Sequence, residues 1–192
     1  MEPFLGDYRV AFTGSQIARM QGLNQKTVSN FLTRLEKERK LKSTKQGNQR
    51  FYQLNDFHFI CALEHQKASD FLRNHIEATI ALETLKTEGI VAVFGSYAKG
   101  QQKKGSDLDI FVAGTVEQRK TALPVPLDLK NYPLHTFKAR KDSDFLVHEV
   151  INDHILIQGV EEFVRICYEP NSSVVLTPEY WLTLRKNKSR KQ

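Results

Sequence analysis

The sequence predicts an α+β protein in two parts, a small helical unit with a hairpin and then a mixed-sheet domain. Three observations carry this. Two segments of helical period, joined by a glycine turn, are followed within the first 56 residues by a short hairpin pattern. Ile90-Val91-Ala92-Val93-Phe94 is a continuous apolar run of buried-strand length. Leu108-Asp109-Ile110-Phe111-Val112 is a second strand whose apolar run is broken by a carboxylate.

Residues 13–37 read as two helices. Thr13-Gly14-Ser15 supplies N-cap candidates, and Ile17, Ala18 and Met20 form a short apolar face. Gly22 ends this helix and Asn24 caps the next, which places Val28, Phe31, Leu32 and Leu35 on one side. Residues 41–54 then form two short strands around a Gly47-Asn48 turn. Residues 57–88 read as mainly helical, with an apolar stripe through Ile60, Leu63, Phe71, Leu72, Ile76, Ile80 and Leu85, a break at Ser69-Asp70, and Gly89 as the terminator. After the strands at 90–94 and 108–112, Pro133-Leu134-His135-Thr136-Phe137 is the candidate third strand. Residues 144–166 read as helical with an interruption at Gly159. The expected division is 1–56, a linking helical segment 57–88, a second domain 89–184 and a basic tail 185–192.

Charge is distributed unevenly along the 192 residues. Residues 1–56 carry a net +5, residues 57–184 a net −4, and the last eight residues five Lys/Arg and no acid. A basic N-terminal module suits a phosphate backbone. No apolar run approaches the ~20 residues needed to cross a bilayer, which leaves membrane-spanning functions out of the reading. The N-terminus lacks the basic and apolar regions of a secretory leader. Cys61 and Cys167, both among apolar residues, read as buried free thiols in a reducing compartment, so a cytoplasmic location is expected.

Helix, glycine turn, helix and a two-stranded wing over roughly residues 8–56 resemble the winged helix-turn-helix family. The resemblance implies that the second helix enters the major groove of duplex DNA. Gln25, Lys26, Ser29, Asn30 and Thr33 point away from that helix's apolar side. Asn and Gln pair with adenine, Lys reaches phosphate or guanine, and short hydroxyls bond phosphates. Lys42, Lys45, Asn48, Gln49 and Arg50 on the wing would reach the backbone or minor groove. The alternative is a solvated polar face used for dimerisation or protein contact.

The most informative stretch is Val93-Phe94-Gly95-Ser96-Tyr97-Ala98-Lys99-Gly100, then Gly105-Ser106-Asp107-Leu108-Asp109-Ile110-Phe111-Val112. Asp107 and Asp109 are two apart, so on a strand they share a face. Two carboxylates so placed repel unless a cation lies between them, and Mg²⁺ takes such hard oxygen ligands while sharing phosphate oxygens. Gly95 lets backbone approach a phosphate, and Ser96 offers a hydroxyl and an N–H. Lys99, Lys103 and Lys104 would add positive charge near a triphosphate.

These residues resemble the polymerase-β-type nucleotidyltransferase superfamily, and especially its minimal members, from about Glu88 to Phe163. The family pattern is Gly-Ser, ten residues, then Asp-x-Asp, and Tyr97 to Ser106 are those ten. The resemblance implies that Gly95 and Ser96 hold the phosphates of ATP or another NTP, with Asp107 and Asp109 as Mg²⁺ ligands. It places a third carboxylate on the third central strand. His135 stands there in the strand drawn at 133–137, and Asp128 is the nearest acid. A site of two acids would bind Mg-nucleotide yet lack a proper base.

The resemblance allows transfer of AMP to a small helical protein partner, an antitoxin-like role with autoregulation through the winged helix. The rival is a transcriptional regulator whose second domain senses nucleotide, or pairs as a homodimer, without turnover. Neither requires a membrane. His148-Glu149 with His154 lacks the spacing of a zinc site, and no Walker A loop is present. Tyr180 and Trp181 read as packing anchors.

Overall fold

The computed structural model of the chain describes residues 2–119 and 121–168. They divide into two units, one formed by Met1–Ile60 and joined by Tyr168, the other by Cys61–Cys167. Tyr180, Trp181 and the basic tail 185–192 lie outside the described residues.

In the first unit a short strand β1 (Phe12–Thr13) leads into helix α1 (Gly14–Gln21). Thr13 caps it reciprocally: its hydroxyl accepts from the Gln16 N–H at 3.2 Å, and Gln16 Oε1 accepts from the Thr13 N–H at 2.7 Å. Gly22 ends the helix in the left-handed conformation (φ 62°), which glycine adopts without a Cβ clash. Asn24 then caps α2 (Gln25–Lys37), its Oδ1 accepting from the Lys26 N–H at 2.8 Å. Strands β2 (Leu41–Gln46) and β3 (Gln49–Leu54) form the expected hairpin. β1 adds to it, making an antiparallel sheet of order β1-β3-β2.

Ile17, Ala18, Val28, Leu32 and Leu35 are buried as their spacing requires. Met20 and Phe31 are not: they are 54% and 38% exposed, at the margins of the apolar stripes. The Arg34 guanidinium covers the Phe31 ring at 5.3 Å.

Helix α3 (Phe57–Asn74) runs unbroken through Ser69-Asp70. The break comes at His75, whose φ and ψ (−130°, 73°) leave the helical region, and α4 (Ile76–Leu82) follows. Ile76 and Ile80, placed by their spacing on the apolar stripe, are exposed. The helical segment does not reach residue 88. Strand β4 spans Leu85–Val93, and Gly89 lies inside it, paired with Gly114 of β5 (Leu108–Gln118). A side chain on Gly89 would stand 3.2 Å from the Gly114 Cα. The glycine therefore permits a close strand crossing and ends no helix.

The second sheet has the order β6-β5-β4-β7 and is mixed: β4 is antiparallel to β5 and β7, and β5 is parallel to β6. The third central strand is β6 (Leu127–Tyr132), six residues before the expected one. Residues 133–137 begin a helix, α6 (Leu134–Arg140), because Pro133 at its N-cap (φ −59°) presets the helical turn. The expected helix 144–166 resolves into α7 (Phe145–Asn152), strand β7 (Ile155–Gln158) and, after Gly159, α8 (Val160–Cys167).

Alternation along the strands splits the core. Val91, Val93, Leu108, Ile110 and Val112 face one way, into a cluster with Phe71, Ala78 and Ala81. Phe111 faces the other way, its ring 5.7 Å from Phe137, which stacks on Phe163. Both cysteines are buried. Among the described residues no helix is long and apolar enough to cross a membrane.

Candidate active site

The carboxylates gather where β4 ends and β5 and β6 begin. The Phe94 N–H donates to the Asp109 carbonyl at 3.0 Å, and Gly95 then turns the chain with φ 67° into a single helical turn, α5 (Gly95–Ala98). A Cβ on Gly95 would lie 2.9 Å from Asp109 Cγ, so the turn packs its backbone directly on that carboxylate. Ser96, half-buried, sits in the first turn of α5. Asp107 is exposed just ahead of β5, two residues from Asp109.

The parallel register pairs Asp109 with Asp128. Paired residues on neighbouring strands project to the same face, so the acid beside Asp109 on the next strand is Asp128. His135 lies in α6 instead. The Leu108 N–H donates to the Pro126 carbonyl at 2.8 Å, extending the pairing one step before β6. Burial, then the charges of Asp128, Asp107 and Glu149, push the Asp109 carboxyl above its ordinary range; Lys130 opposes them. Lys130 Nζ lies 2.8 Å from Asp128 Oδ1, and that carboxylate raises the ammonium's pKa in turn.

Lys99 follows α5 directly. Its ammonium donates to Glu149 Oε1 at 3.1 Å and lies 3.7 Å from Asp153 Oδ2, both on or next to α7. Glu149 and Lys130 are the residues that sequence reasoning missed. Lys130 had a signal, since i+2 from Asp128 on a strand shares its face. Glu149 had none, because only the packing of α7 brings it to the edge.

Among the described residues no three His, Cys, Asp or Glu side chains converge as a ready metal cage. The donors nonetheless suit Mg²⁺: all are hard oxygens, and the Asp109 carboxyl is raised by burial first and then by repulsion from Asp128 and Asp107, which a cation between them would relieve. Mg²⁺ commonly takes one or two carboxylates and completes its shell with water and phosphate oxygens.

In the first unit Gln25, Lys26, Ser29, Asn30 and Thr33 are all exposed on α2, and Lys45, Asn48, Gln49 and Arg50 are exposed on the hairpin. The Thr33 hydroxyl is turned inward, donating to the Ser29 carbonyl at 2.9 Å. Arg50 lies 3.6 Å from Glu36 Oε2. Ser15, Ser29, Gln49 and Arg50 line one cleft of about 260 Å³ between the start of α1, α2 and the hairpin. Lys42 is the exception, since burial lowers its pKa.

Residues 78–178 match the model of the nucleotidyltransferase domain family. The chain belongs to this family. The nucleotidyltransferase match spans all four strands of the mixed sheet, together with Asp107, Asp109, Asp128 and Glu149. No curated protein and no solved structure matches the chain.

Proposed function

We propose that the chain transfers a nucleotidyl group from an NTP to an acceptor hydroxyl. The observation that supports this reading is the register of Asp128 with Asp109, which supplies the acid a site of two carboxylates would lack. In the proposed reaction the acceptor oxygen attacks the α-phosphorus, the bond to the bridging oxygen breaks, and pyrophosphate leaves. The acceptor's proton passes to Asp128. Asp107 and Asp109 would hold Mg²⁺, which when bound neutralises triphosphate charge and acidifies the acceptor hydroxyl. Gly95 and Ser96 would cradle phosphates, and Lys99 would exchange its hold on Glu149 for a phosphate oxygen.

The first unit is read as a winged helix that binds duplex DNA, with α2 in the major groove and the hairpin on the backbone. The exposed row on α2 and the shared cleft with Arg50 support it. The combination suits autoregulation, an acceptor on a small helical partner protein, and assembly as a homodimer. An assay with α-labelled NTPs tests the chemistry: label should move to protein or RNA acceptors with the wild type and not with Asp109→Asn. A second reading, a nucleotide-sensing regulator without turnover, is favoured by the ion pair that occupies Asp128 through Lys130. Transfer lost in Asp128→Ala with nucleotide binding retained would decide for the enzyme.

A further inference from the structure

Strand β6 lies at one edge of the second sheet, and it brings a cation to the carboxylates as well as an acid. Asp128 and Lys130 are two apart on this strand, so they share a face. The register pairs Asp128 with Asp109 and Lys130 with Phe111, so that face is also the face of Asp109. Lys130 Nζ lies 2.8 Å from Asp128 Oδ1, and its charge also acts on Asp109. A second ammonium, Lys99, is engaged instead by Glu149 and Asp153, on and beside α7.

Three carboxylates can be served in two ways. Two divalent cations ~3.5–4 Å apart would each stabilise one of the oxygens exchanged at phosphorus. One divalent cation with one ammonium would match the three negative charges one for one. The geometry favours the second way. Asp107 and Asp109 lie two apart where β5 begins, whereas Asp128 already holds an ammonium at hydrogen-bonding distance. Mg²⁺ sheds water reluctantly and commonly takes one or two carboxylates, so a carboxylate held by an ammonium is a poor further ligand. The lysine ammonium is a compact charge with three donors, well suited to stand where a small cation would.

We propose that Lys130 takes the place of a second metal ion: the site loads one divalent cation with its nucleotide, on Asp107 and Asp109, while Lys130 holds Asp128. The inference rests on the nucleotidyl-transfer reading and states how that site balances its charge. Lys130 is a positioning residue. It keeps Asp128 off the metal by holding Oδ1, and Oδ2 receives the acceptor's proton.

Manganese counts the cations directly, because two neighbouring Mn²⁺ ions are exchange-coupled in electron paramagnetic resonance and a single ion is not. The full chain is titrated with Mn²⁺ in the presence of the α,β-methylene analogue of ATP, which cannot release pyrophosphate. The wild type should hold one uncoupled ion. Lys130→Met, which keeps the aliphatic stem without the charge, should take up a second, coupled ion about fivefold more tightly than the wild type does. Lys130→Arg, which keeps the charge, should hold one. Lys130→Met combined with Asp128→Asn should return to one, because the second ion needs that carboxylate. A coupled pair in the wild type or in Lys130→Arg would overturn the proposal and leave nucleotidyl transfer standing. A single ion in folded Lys130→Met, or two in the double variant, would do the same. No Mn²⁺-dependent binding of the analogue or of any natural triphosphate by the wild type would overturn this inference and the parent reading together.

Discussion

Asp109 is a carboxyl whose charged form its surroundings disfavour. Burial is the largest cause of its raised pKa, followed by Asp128 and Asp107. A carboxyl raised in the folded state costs no stability below its ordinary pKa, and the penalty grows as pH rises through the folded value. Asp109→Asn should therefore raise the melting temperature of metal-free protein at pH 7 by a few degrees, with the gain vanishing near pH 3. A melting temperature at pH 7 equal to or below that of the wild type would contradict this. Replacing both Asp107 and Asp109 with Asn should abolish Mg-dependent nucleotide binding in calorimetry. Asp128→Asn should keep binding and slow transfer about 10²–10⁴-fold, the usual contribution of a general base. The Gly-Ser and Asp-x-Asp signature was legible in the sequence because its spacing is fixed by one turn and one strand. Asp128 was identified only as the nearest acid, because three prolines near it obscured where the strand lies.

At the level of elements, the first unit followed its local signals. Thr13, Gly22, Asn24 and Gly47 each dictate a cap or turn within a few residues, so helices and hairpin fell where expected. Strands β6 and β7 did not, because each is only six or four residues long and takes its partners from distant sequence. Gly89 was misread because a glycine that ends a helix and one that lets two strands touch look alike without the partner. Gly114→Val should be strongly destabilising, by about 2 kcal/mol or more in urea unfolding, since backbone atoms of Glu88 and Gly89 fill the space of any side chain there. For α2, Lys26→Ala should weaken binding to all DNA sequences and reduce the salt slope by about one. Asn30→Ala should instead relax sequence preference. DNA binding unchanged in both variants would leave the exposed row to protein contact.

Across the molecule, charge separates what composition alone would blend: a net +5 on residues 1–56 and −4 on 57–184. Within the second unit, α3 is tied to the segment before β7 by a buried polar pair. His154 Nδ1 is 3.0 Å from the carbonyl oxygens of Val150 and Ile151, so it donates there, and Nε2 meets Glu64 Oε1 at 3.2 Å. One proton must lie between ring and carboxylate, whichever holds it. Glu64→Ala should cost about 3–5 kcal/mol in urea unfolding, because it strands a buried imidazole. Glu64→Leu combined with His154→Phe should cost clearly less than the two single changes summed. Additive losses would show that the two side chains do not act as a pair. No sequence spacing announced this pair, since its members are 90 residues apart.

The contact between Gly95 and Asp109 also orders the steps by which this site can be lost over generations. While Asp109 keeps its carboxylate, a methyl group at position 95 would force that side chain to shift, on top of the strain of φ 67°. Asp109 is under no matching constraint, because a smaller residue there only opens space. A lineage drifting away from catalysis should thus surrender Asp109 before Gly95, and the reverse order should be absent. Descendants with glycine and no acid would be former enzymes, and the glycine would outlast the chemistry it once served.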